Sequence, residues 1–386
     1  MSSVLISGAS IAGPALAFWL RRNGFDVTVV EKSHALRGGG YPIDIRGTAL
    51  EVVDRMGLLP RLREAHVDTR QITFLDSDGG LVASIRPETL IGGDGTDLEV
   101  RRGDLAEILY DTVRDDVEFL FDNTIVTMNE HADGVDVTFR SGLERTYDHV
   151  IGADGLHSTV RALTFGEEEQ FHRYLGYCFA GFTLPNHLGL RQEALMWNEP
   201  GRAAALYAVG SNESVHGFLS FTRAEAPFGA FRDPQAQRDL VASVFAEDGW
   251  EVPGMVKAMH EADDLFFDTV SQIRMPRWSS GRVALVGDAA YAPSFLTGQG
   301  SSLALVGAYV LAGNMSDFAA YERTIRPFVE ANQGLVDVGN AELFPGTPEA
   351  LAARNAALRS RATIPAAPAR PEHSALTLPE FPLLSP

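Results

Sequence analysis

Cysteine is the scarcest residue in this chain of 386 residues, with Cys178 its single copy. One thiol excludes an internal disulfide and any metal site built from several cysteines. The ten histidines include no pair spaced i, i+4, so the helical zinc motif is also missing and we predict no metal site. No uninterrupted apolar run reaches the about 18 residues that a membrane span needs, so no membrane partner is expected.

Basic residues are also scarce relative to acidic ones. The chain has 32 Lys and Arg against 51 Asp and Glu, a formal net charge of −19. Such a chain repels nucleic-acid phosphates and anionic lipid surfaces, so neither is expected as a partner. Hydrophobic residues at 45% and charged residues at 22% are ordinary for a globular protein. We therefore expect a cytoplasmic protein of two or three domains.

The first thirty residues have the pattern of a βαβ unit. The run Val4–Ile6 predicts a buried strand, and a mostly apolar helix follows the turn Gly8–Gly13. Phe25–Val30 predicts a second strand with Glu31 at its tip. In this arrangement the helix start faces a dinucleotide pyrophosphate and the acidic residue accepts a ribose hydroxyl. The candidate cofactor-binding residues here are Gly8, Ser10, Ile11, Ala12, Gly13 and Glu31.

Other interpretations of this stretch stay open. Ser10 stands where the dinucleotide fingerprint has its middle glycine, although a small side chain still allows close backbone approach. The run Gly8–Ala12 lacks only the second glycine of a hydrolase nucleophile elbow. A plain βαβ core is a further alternative, because short motif matches carry false positives.

Two later strands end in the same chemistry. His149–Ala153 is followed by Asp154-Gly155, and Arg282–Val286 is followed by Gly287-Asp288. Each Gly or Asp alone is explained by a turn or a helix cap. Three such strand tips in one chain favour one shared cofactor site. The helix that begins after the loop Gly298–Gly300 can stabilise negative charge on a ring or a phosphate at that site.

The region between these motifs predicts an antiparallel sheet with one covered face. Strand-like, aromatic-rich segments cover 174–182, 202–209 and 215–222. Segments 71–75 and 81–85 predict a hairpin. Residues 234–260 predict a helix broken at Pro253-Gly254, and residues 348–361 predict one more helix. From residue 363 onward we expect a tail that is extended, docked or disordered.

On the three motifs, the chain resembles the single-component FAD-dependent monooxygenases of the para-hydroxybenzoate hydroxylase type. Within this family it is similar to the branch of tetracycline-inactivating and polyketide-tailoring enzymes. The resemblance covers Val4 to about Ala331. It implies an α/β fold with a Rossmann-like FAD-binding domain (1–70, 101–168 and 276–330), interleaved with a mostly antiparallel-sheet substrate domain (71–100 and 169–275). C-terminal helices and an Ala/Pro-rich tail (331–386) follow.

The resemblance also implies how FAD is held. Glu31 binds the adenosine ribose, with Lys32 and Arg37 nearby. Arg102 opens a helix and contacts the flavin side of FAD. Asp288 holds the ribityl or pyrophosphate part.

Further roles follow from the same resemblance. The residues placed against the isoalloxazine are Gly298, Gly300 and Ser301. Asp154 and Gly155 belong to a motif that the family uses for both FAD and the nicotinamide donor. NADPH or NADH binds transiently in such enzymes, and Arg46 is the candidate for nicotinamide contact. Two departures are Tyr291, where many relatives have His, and Phe295, where the similar branch often has Pro.

The implied reaction is hydroxylation of an aromatic or polyketide-like molecule by O2 through a flavin hydroperoxide, in a monomer or homodimer. The chemistry belongs to the cofactor, so no catalytic side chain is assigned. Candidate lining residues of the substrate pocket are Phe179, Trp197, Tyr207, Phe218 and Phe295. Baeyer–Villiger or epoxidising oxygen insertion, or a FAD-binding cyclase or sensor without oxygenase activity, are the alternatives.

Overall fold

A computed structural model describes residues 1–36, 40–87, 89, 96–209, 213–227, 233–337, 343–361 and 369–382. The strands are β1 (Ser3–Ser7), β2 (Asp26–Val30), β3 (Pro42–Ile45), β4 (Gln71–Leu75), β5 (Leu81–Ile85), β6 (Leu98–Arg101), β7 (Glu118–Leu120), β8 (Ile125–His131), β9 (Gly134–Phe139), β10 (Glu144–Tyr147), β11 (His149–Gly152), β12 (His172–Pro185), β13 (Glu193–Glu199), β14 (Arg202–Tyr207), β15 (Ser214–Thr222), β16 (Phe266–Ile273), β17 (Ser279–Ser280) and β18 (Val283–Leu285).

The helices are named in the same way. They are α1 (Ala12–Arg22), α2 (Thr48–Arg55), α3 (Leu59–Glu64), α4 (Arg102–Asp111), α5 (Thr159–Phe165), α6 (Pro234–Val244), α7 (Val252–Glu261), α8 (Asp288–Tyr291), α9 (Gly300–Ala312), α10 (Phe318–Gln333) and α11 (Pro348–Arg361). Among the helices in the described ranges, none has the length and apolarity to cross a membrane.

The first sheet gathers the predicted strand tips. Its strand order is β17-β18-β11-β1-β2-β7, and β1 pairs in parallel with both β2 and β11. Ser7 lies opposite Val30 on one side and Gly152 on the other, and Gly152 lies opposite Leu285. The carboxyl ends of four strands therefore meet at one edge, where ligands bind in open α/β sheets.

The second sheet has the order β16-β12-β15-β14-β13-β4-β5 and is antiparallel apart from the β13–β4 pair. Helices α6 and α7 cover one face, with Val241, Phe245 and Met255 buried in that core. On the other face Phe218 contacts the ring of Tyr41, which precedes β3. This open face is thus turned toward loops that emerge from the first sheet.

The predicted fold class is confirmed by these two sheets, and the hairpin of β4 and β5 has the predicted bounds. The predicted helix break at Pro253-Gly254 is wrong, because α6 and α7 are separated at 245–251. Pro253 lies in the first turn of α7, where a missing backbone N–H costs nothing. The patterns also missed β13 and β16, which complete the second sheet. The domain boundaries remain a prediction.

The described C-terminal residues pack onto the rest of the chain. In α11, Arg354 donates from Nη2 to Asn198 Oδ1 at 2.9 Å. Residues 369–382 dock beside α2 and α9, where the Thr48 hydroxyl donates to the Leu376 carbonyl at 2.8 Å and the Tyr309 hydroxyl to the Pro379 carbonyl at 2.7 Å. Of the three states expected for the tail, these residues show the docked one.

Candidate cofactor and substrate site

The turn after β1 depends on two glycines. Gly8 has φ +108°, and a Cβ placed on it would lie 2.4 Å from the Ala153 carbonyl oxygen. A Cβ on Gly13 would lie 1.9 Å from the Gly8 carbonyl oxygen. No side chain fits at either position without moving backbone. The chain therefore turns tightly here and brings the start of α1 close to β1.

Two buried helices begin at this edge without a side-chain cap. Ile11 precedes α1 and Gln299 precedes α9, and neither side chain accepts a hydrogen bond from the helix start. A Cβ on Gly287 would lie 3.1 Å from Ala12 Cβ and 3.6 Å from Ala304 Cβ, so the third strand tip sits between the two helix starts. Uncapped helix starts present free N–H groups and positive dipole ends to anions. A pyrophosphate and a negatively polarised ring fit this arrangement.

Glu31 lies beneath the first turn. Its Oε2 accepts a hydrogen bond from Ala9 N at 2.9 Å, and its Oε1 accepts one from Ser33 N at 2.9 Å. These two bonds fix the carboxylate, which has further lone pairs for ribose hydroxyls. Lys32 is exposed beside it. Arg37 lies outside the described residues.

Arg102 and Ser10 meet across the cleft. Arg102 opens α4, and its Nη2 donates to Ser10 Oγ at 2.8 Å. The serine that departs from the glycine fingerprint thus has a defined partner. This bond places a guanidinium next to the turn predicted to hold phosphates, where positive charge is favourable.

Asp288 is the first residue of α8 and lies near the start of α9, since a Cβ on Gly300 would be 3.9 Å from its Oδ1. The side chain is exposed to solvent within the cleft. Many protein atoms nevertheless lie close to the carboxyl group and exclude part of the water around it. The resulting desolvation raises the pKa of Asp288, Arg102 lowers it, and Asp268 raises it further. A carboxyl held in this way is suited to accept or donate hydrogen bonds with polyol hydroxyls.

Gly298 and Ser301 border the same helix start. Gly298 has φ +64°, and a Cβ there would lie 3.0 Å from Asp44 Oδ2. Ser301 is 8% exposed. The predicted isoalloxazine contacts therefore lie at the beginning of α9, next to β3.

Asp154 has a structural explanation. Its carboxylate accepts hydrogen bonds from Ser7 Oγ at 3.3 Å, Ser158 Oγ at 2.5 Å, Thr159 N at 2.9 Å and Val160 N at 3.2 Å. These bonds tie β1 to the start of α5, and burial raises the pKa of the carboxyl. A cofactor contact by Asp154 or by the neighbouring Gly155 stays a prediction.

Arg46 does not have the exposure that a nicotinamide contact needs. It is 4% exposed and bonds Asp44 Oδ1 through Nη2 at 2.8 Å, with Asp97 4.0 Å away. Its backbone N–H donates to Ser302 Oγ at 3.1 Å, which ties it to α9. The expectation is corrected: in this structure Arg46 is a buried, paired residue beside the cofactor cleft.

Four of the five predicted pocket residues share one region. Phe179 packs edge-to-face on Phe295, with ring centroids 4.8 Å apart, and Phe218 packs on Tyr41 at 5.8 Å. Strand register puts Tyr207 opposite His216, two residues from Phe218 on the same face. Aromatic and half-buried side chains thus form a wall over the cleft.

Trp197 is the exception and the prediction for it is wrong. It is 1% exposed, belongs to the core under α6 and α7, and its indole N–H donates to the Ser77 carbonyl at 3.1 Å. Side chains alternate along a strand, so a position one residue away changes face. Aromatic composition alone could not separate the two faces.

Sequence patterns missed several polar residues of the cleft wall. The Tyr207 hydroxyl donates to Glu99, and Thr69 Oγ1 donates to Glu99 Oε2 at 2.5 Å. Burial raises the pKa of Glu99, as does Asp44. No motif marks Glu99, because it lies in a short strand distant in sequence from the residues that it binds.

His157 and Asp268 form a second missed link. The imidazole Nε2 lies 3.2 Å from Asp268 Oδ2, and Nδ1 lies 2.8 Å from Glu168 Oε1. The hydrogen bonds with Asp268 and Glu168 raise the pKa of His157 to about 10. The imidazolium therefore joins the loop after β11 to β16 of the second sheet. The Asp154–Ser158 motif was the available signal, although it gave no indication of the partner.

Comparison with known proteins agrees with this geometry. The family model described as "FAD binding domain" matches residues 1–320. The chain belongs to this FAD-binding family. Its relatives include flavin-dependent monooxygenases. The protein is a flavoprotein oxidoreductase with FAD as cofactor.

Individual relatives extend over most of the chain. An uncharacterized protein of Mycobacterium tuberculosis is 44% identical over 346 residues, in an alignment that covers 87% of this chain and 93% of the relative. A flavin-dependent monooxygenase of an unknown prokaryotic organism is 38% identical over 338 residues, covering 86% and 87%. The crystal structure of tetracycline destructase Tet(55) superposes with a TM-score of 0.84 at 34% identity and covers 98% of each chain.

Proposed function

We propose that this protein is an NAD(P)H-dependent monooxygenase that uses O2 to hydroxylate an aromatic or polyketide-like small molecule. The observation that carries the proposal is the convergence of the uncapped starts of α1 and α9 with the Asp288 carboxyl, beneath an aromatic wall. The net reaction consumes the substrate, NAD(P)H, a proton and O2, and yields the hydroxylated product, NAD(P)+ and water. Bound FAD supplies the electron transfer and oxygen activation.

The chain's own residues bind and orient. The turn Gly8–Gly13 and the start of α1 would hold the pyrophosphate, while Glu31 would accept hydrogen bonds from the adenosine ribose hydroxyls. Arg102 would place positive charge beside the phosphates, and Asp288 would hold the ribityl hydroxyls. The N–H groups at the start of α9 would stabilise negative charge on the flavin ring.

The aromatic wall serves the substrate. Phe179, Phe218 and Phe295 offer flat apolar surface to a polycyclic or phenolic ring. Their packing would also exclude water from the space in which bound FAD would supply oxygen activation. The name of the tetracycline destructase neighbour supports a polycyclic polyketide as the substrate class to test first.

Oxygen incorporation tests the proposal. The FAD-loaded protein is incubated with tetracycline and with simple phenols under isotopically labelled O2 and NADPH, and products are analysed by mass and by structure. One labelled oxygen atom in a product supports a monooxygenase, and the position of that atom separates hydroxylation from ring-expanding or epoxidising insertion. Donor oxidation that yields peroxide with every compound argues against this substrate class.

A further inference from the structure

A separate cavity lies beside Tyr291, the last residue of α8. It has a volume of about 240 Å³, and its lining includes Arg274, Trp278, Tyr291, Arg326, Glu330 and Gln333. Since a water molecule occupies about 30 Å³ in the liquid, the cavity has room for a small molecule. It is smaller than the about 300–1,000 Å³ of pockets that take drug-sized ligands.

Arg274 brings to this cavity a positive charge that no carboxylate pairs within 4.0 Å among the described residues. Its Nε and Nη2 donate to Gln272 Oε1 at 3.1 and 2.9 Å, and this partner is a neutral amide. Strand register places Arg173 opposite Gln272, on the same face. Within the described ranges neither arginine forms an ion pair at 4.0 Å or less. Burial and the charge of Arg173 lower the pKa of Arg274, while the charge of Glu330 raises it.

The other charges around the cavity are better matched. Arg326 bonds Glu322 Oε1 through Nε and Nη2 and lies 3.6 Å from Glu330 Oε1. Its guanidinium carbon is 4.2 Å from the ring centroid of Trp278. Glu330 is the one carboxylate among the cavity-lining residues, and its side chain is 56% exposed. Among the described residues, Arg274 and Arg173 therefore have no ion-pair partner within 4.0 Å, and Glu330 acts on Arg274 only over a longer distance.

Trp278 contributes aromatic surface to the cavity lining. The residue is 1% exposed, and its indole N–H is buried and has no acceptor among the residues that the structure describes. Arg274 therefore supplies the hydrogen-bond donors for an anionic oxygen ligand in this cavity.

We propose that this cavity binds the phosphate group of a small molecule, held by Arg274 with Arg173 at the entrance. The guanidinium group of Arg274 matches phosphate oxygens in charge and geometry. The phosphate has two sources, free inorganic phosphate or the 2′-phosphate of NADPH. The second source rests on the proposed function.

The same residues connect the cavity to the cofactor loop. Gln272, which accepts from Arg274, donates from Nε2 to the Pro293 carbonyl at 2.9 Å and to the Gln333 carbonyl at 2.8 Å. Gln333 in turn donates to the carbonyls of Tyr291 and Ala292. The side-chain amide of Gln272 thus links Arg274, the proposed phosphate ligand, to the segment that leads to α9.

Calorimetric titration of the FAD-loaded, full-length protein with inorganic phosphate at constant ionic strength tests the site. We expect saturable binding that weakens about tenfold or more in Arg274→Gln and is partly kept in Arg274→Lys. Arg277→Gln is the matched control, because it removes an equal charge from an exposed residue that does not line the cavity. Glu330→Gln leaves the arginines in place and should tighten phosphate binding. This second variant keeps the phosphate site testable even if Arg274→Gln fails to fold.

Steady-state rates with NADPH and NADH identify the source. If the KM for NADPH rises in Arg274→Gln while that for NADH stays constant, the site takes the donor's 2′-phosphate; if neither changes, it takes free phosphate. Absence of phosphate binding in the wild type, or equal binding in wild type, Arg274→Gln and Glu330→Gln, would overturn the proposal. Failure to oxidise either donor would count against the proposed function, while the calorimetric result would still decide the phosphate site.

Discussion

Arg102 and Ser10 are 92 residues apart in sequence and are joined by a hydrogen bond of 2.8 Å across the cofactor cleft. This contact explains how the departure from the dinucleotide fingerprint is accommodated. A glycine at position 10 allows close approach but offers no partner to the arginine. The serine keeps the side chain small and fixes the guanidinium beside the turn that faces the phosphates.

Arg102→Leu should weaken FAD binding by about 10- to 100-fold, because it removes a cation and a charge-assisted hydrogen bond from the cleft. Ser10→Gly should cost much less, since the arginine keeps its charge. Fluorescence titration of apoprotein with FAD gives both affinities. Equal affinities for wild type and Arg102→Leu would contradict the placement of this residue.

Gly8→Ala should destabilise the protein by several kcal/mol and abolish FAD binding, because its Cβ would lie 2.4 Å from a backbone carbonyl at φ +108°. Gly24→Ala is the matched control. Gly24 also has a positive φ, +80°, but a Cβ there meets nothing within 4 Å, so we expect a loss of only about 1–2 kcal/mol. Urea unfolding of the two variants measures the difference, and similar losses would show that the clash is relieved.

Asp288→Asn should separate stability from cofactor retention. Desolvation raises the pKa of Asp288, so ionisation of this carboxyl opposes folding of the cofactor-free protein above that pKa. The apoprotein variant should therefore melt at a higher temperature than wild type at pH 7. This advantage should disappear as the pH falls through the raised pKa, because the wild-type carboxyl is then neutral as well. The same variant should retain less FAD, and a variant that keeps full flavin occupancy would contradict the assigned role.

His373 should make the protein sensitive to mild acid. Burial, together with Arg46 and Arg370, lowers the pKa of His373 to about 4. The unfolded state then binds the proton more readily, so stability is lost as the pH falls from about 6.5 toward 4. We expect about 2 kcal/mol less unfolding free energy at pH 5 than at pH 7 from this group, and His373→Gln should remove that part. His34→Gln, at an exposed position, is the control, and an unchanged pH dependence in His373→Gln would refute the assignment.

Phe218→Ala and Trp197→Phe should have opposite phenotypes. Phe218 lies on the sheet face toward the cleft, so its loss should raise the substrate KM with little effect on FAD binding. Trp197 is packed under α6 and α7, so Trp197→Phe should lower the unfolding free energy and leave KM unchanged. Steady-state kinetics and urea unfolding measure KM and the unfolding free energy of each variant. A changed KM in Trp197→Phe would show that Trp197 does line the substrate pocket.

The sequence was most informative where chemistry and backbone geometry coincide. The turn Gly8–Gly13 and the strand tip at Asp288 were predicted because three strand ends with glycine and carboxylate residues in one chain favour one shared site. Contacts between distant segments, such as Glu99 with Tyr207, follow from how the two sheets meet, and no local pattern encodes that. The face of Trp197 was mispredicted for a similar reason, since the strand β13 itself was not recognised and its alternation could not be used.

Arg46 shows a different limit. The sequence analysis names Arg46 as the candidate for nicotinamide contact, whereas the structure pairs its guanidinium with Asp44. The pairing brings together Asp44 and Asp97, from segments on either side of the helices α2 and α3. Charge balance of this kind depends on tertiary arrangement.

The visible absorption spectrum of the purified protein, recorded before and after anaerobic addition of NADPH and then NADH, tests the central claim most directly. The account predicts an oxidised flavin spectrum that one of the donors bleaches, with the reduction accelerated by a substrate of the correct class. A flavin spectrum that neither donor bleaches would contradict the proposed donor-dependent monooxygenase, and a protein that takes up no flavin even with added FAD would contradict the cofactor site itself.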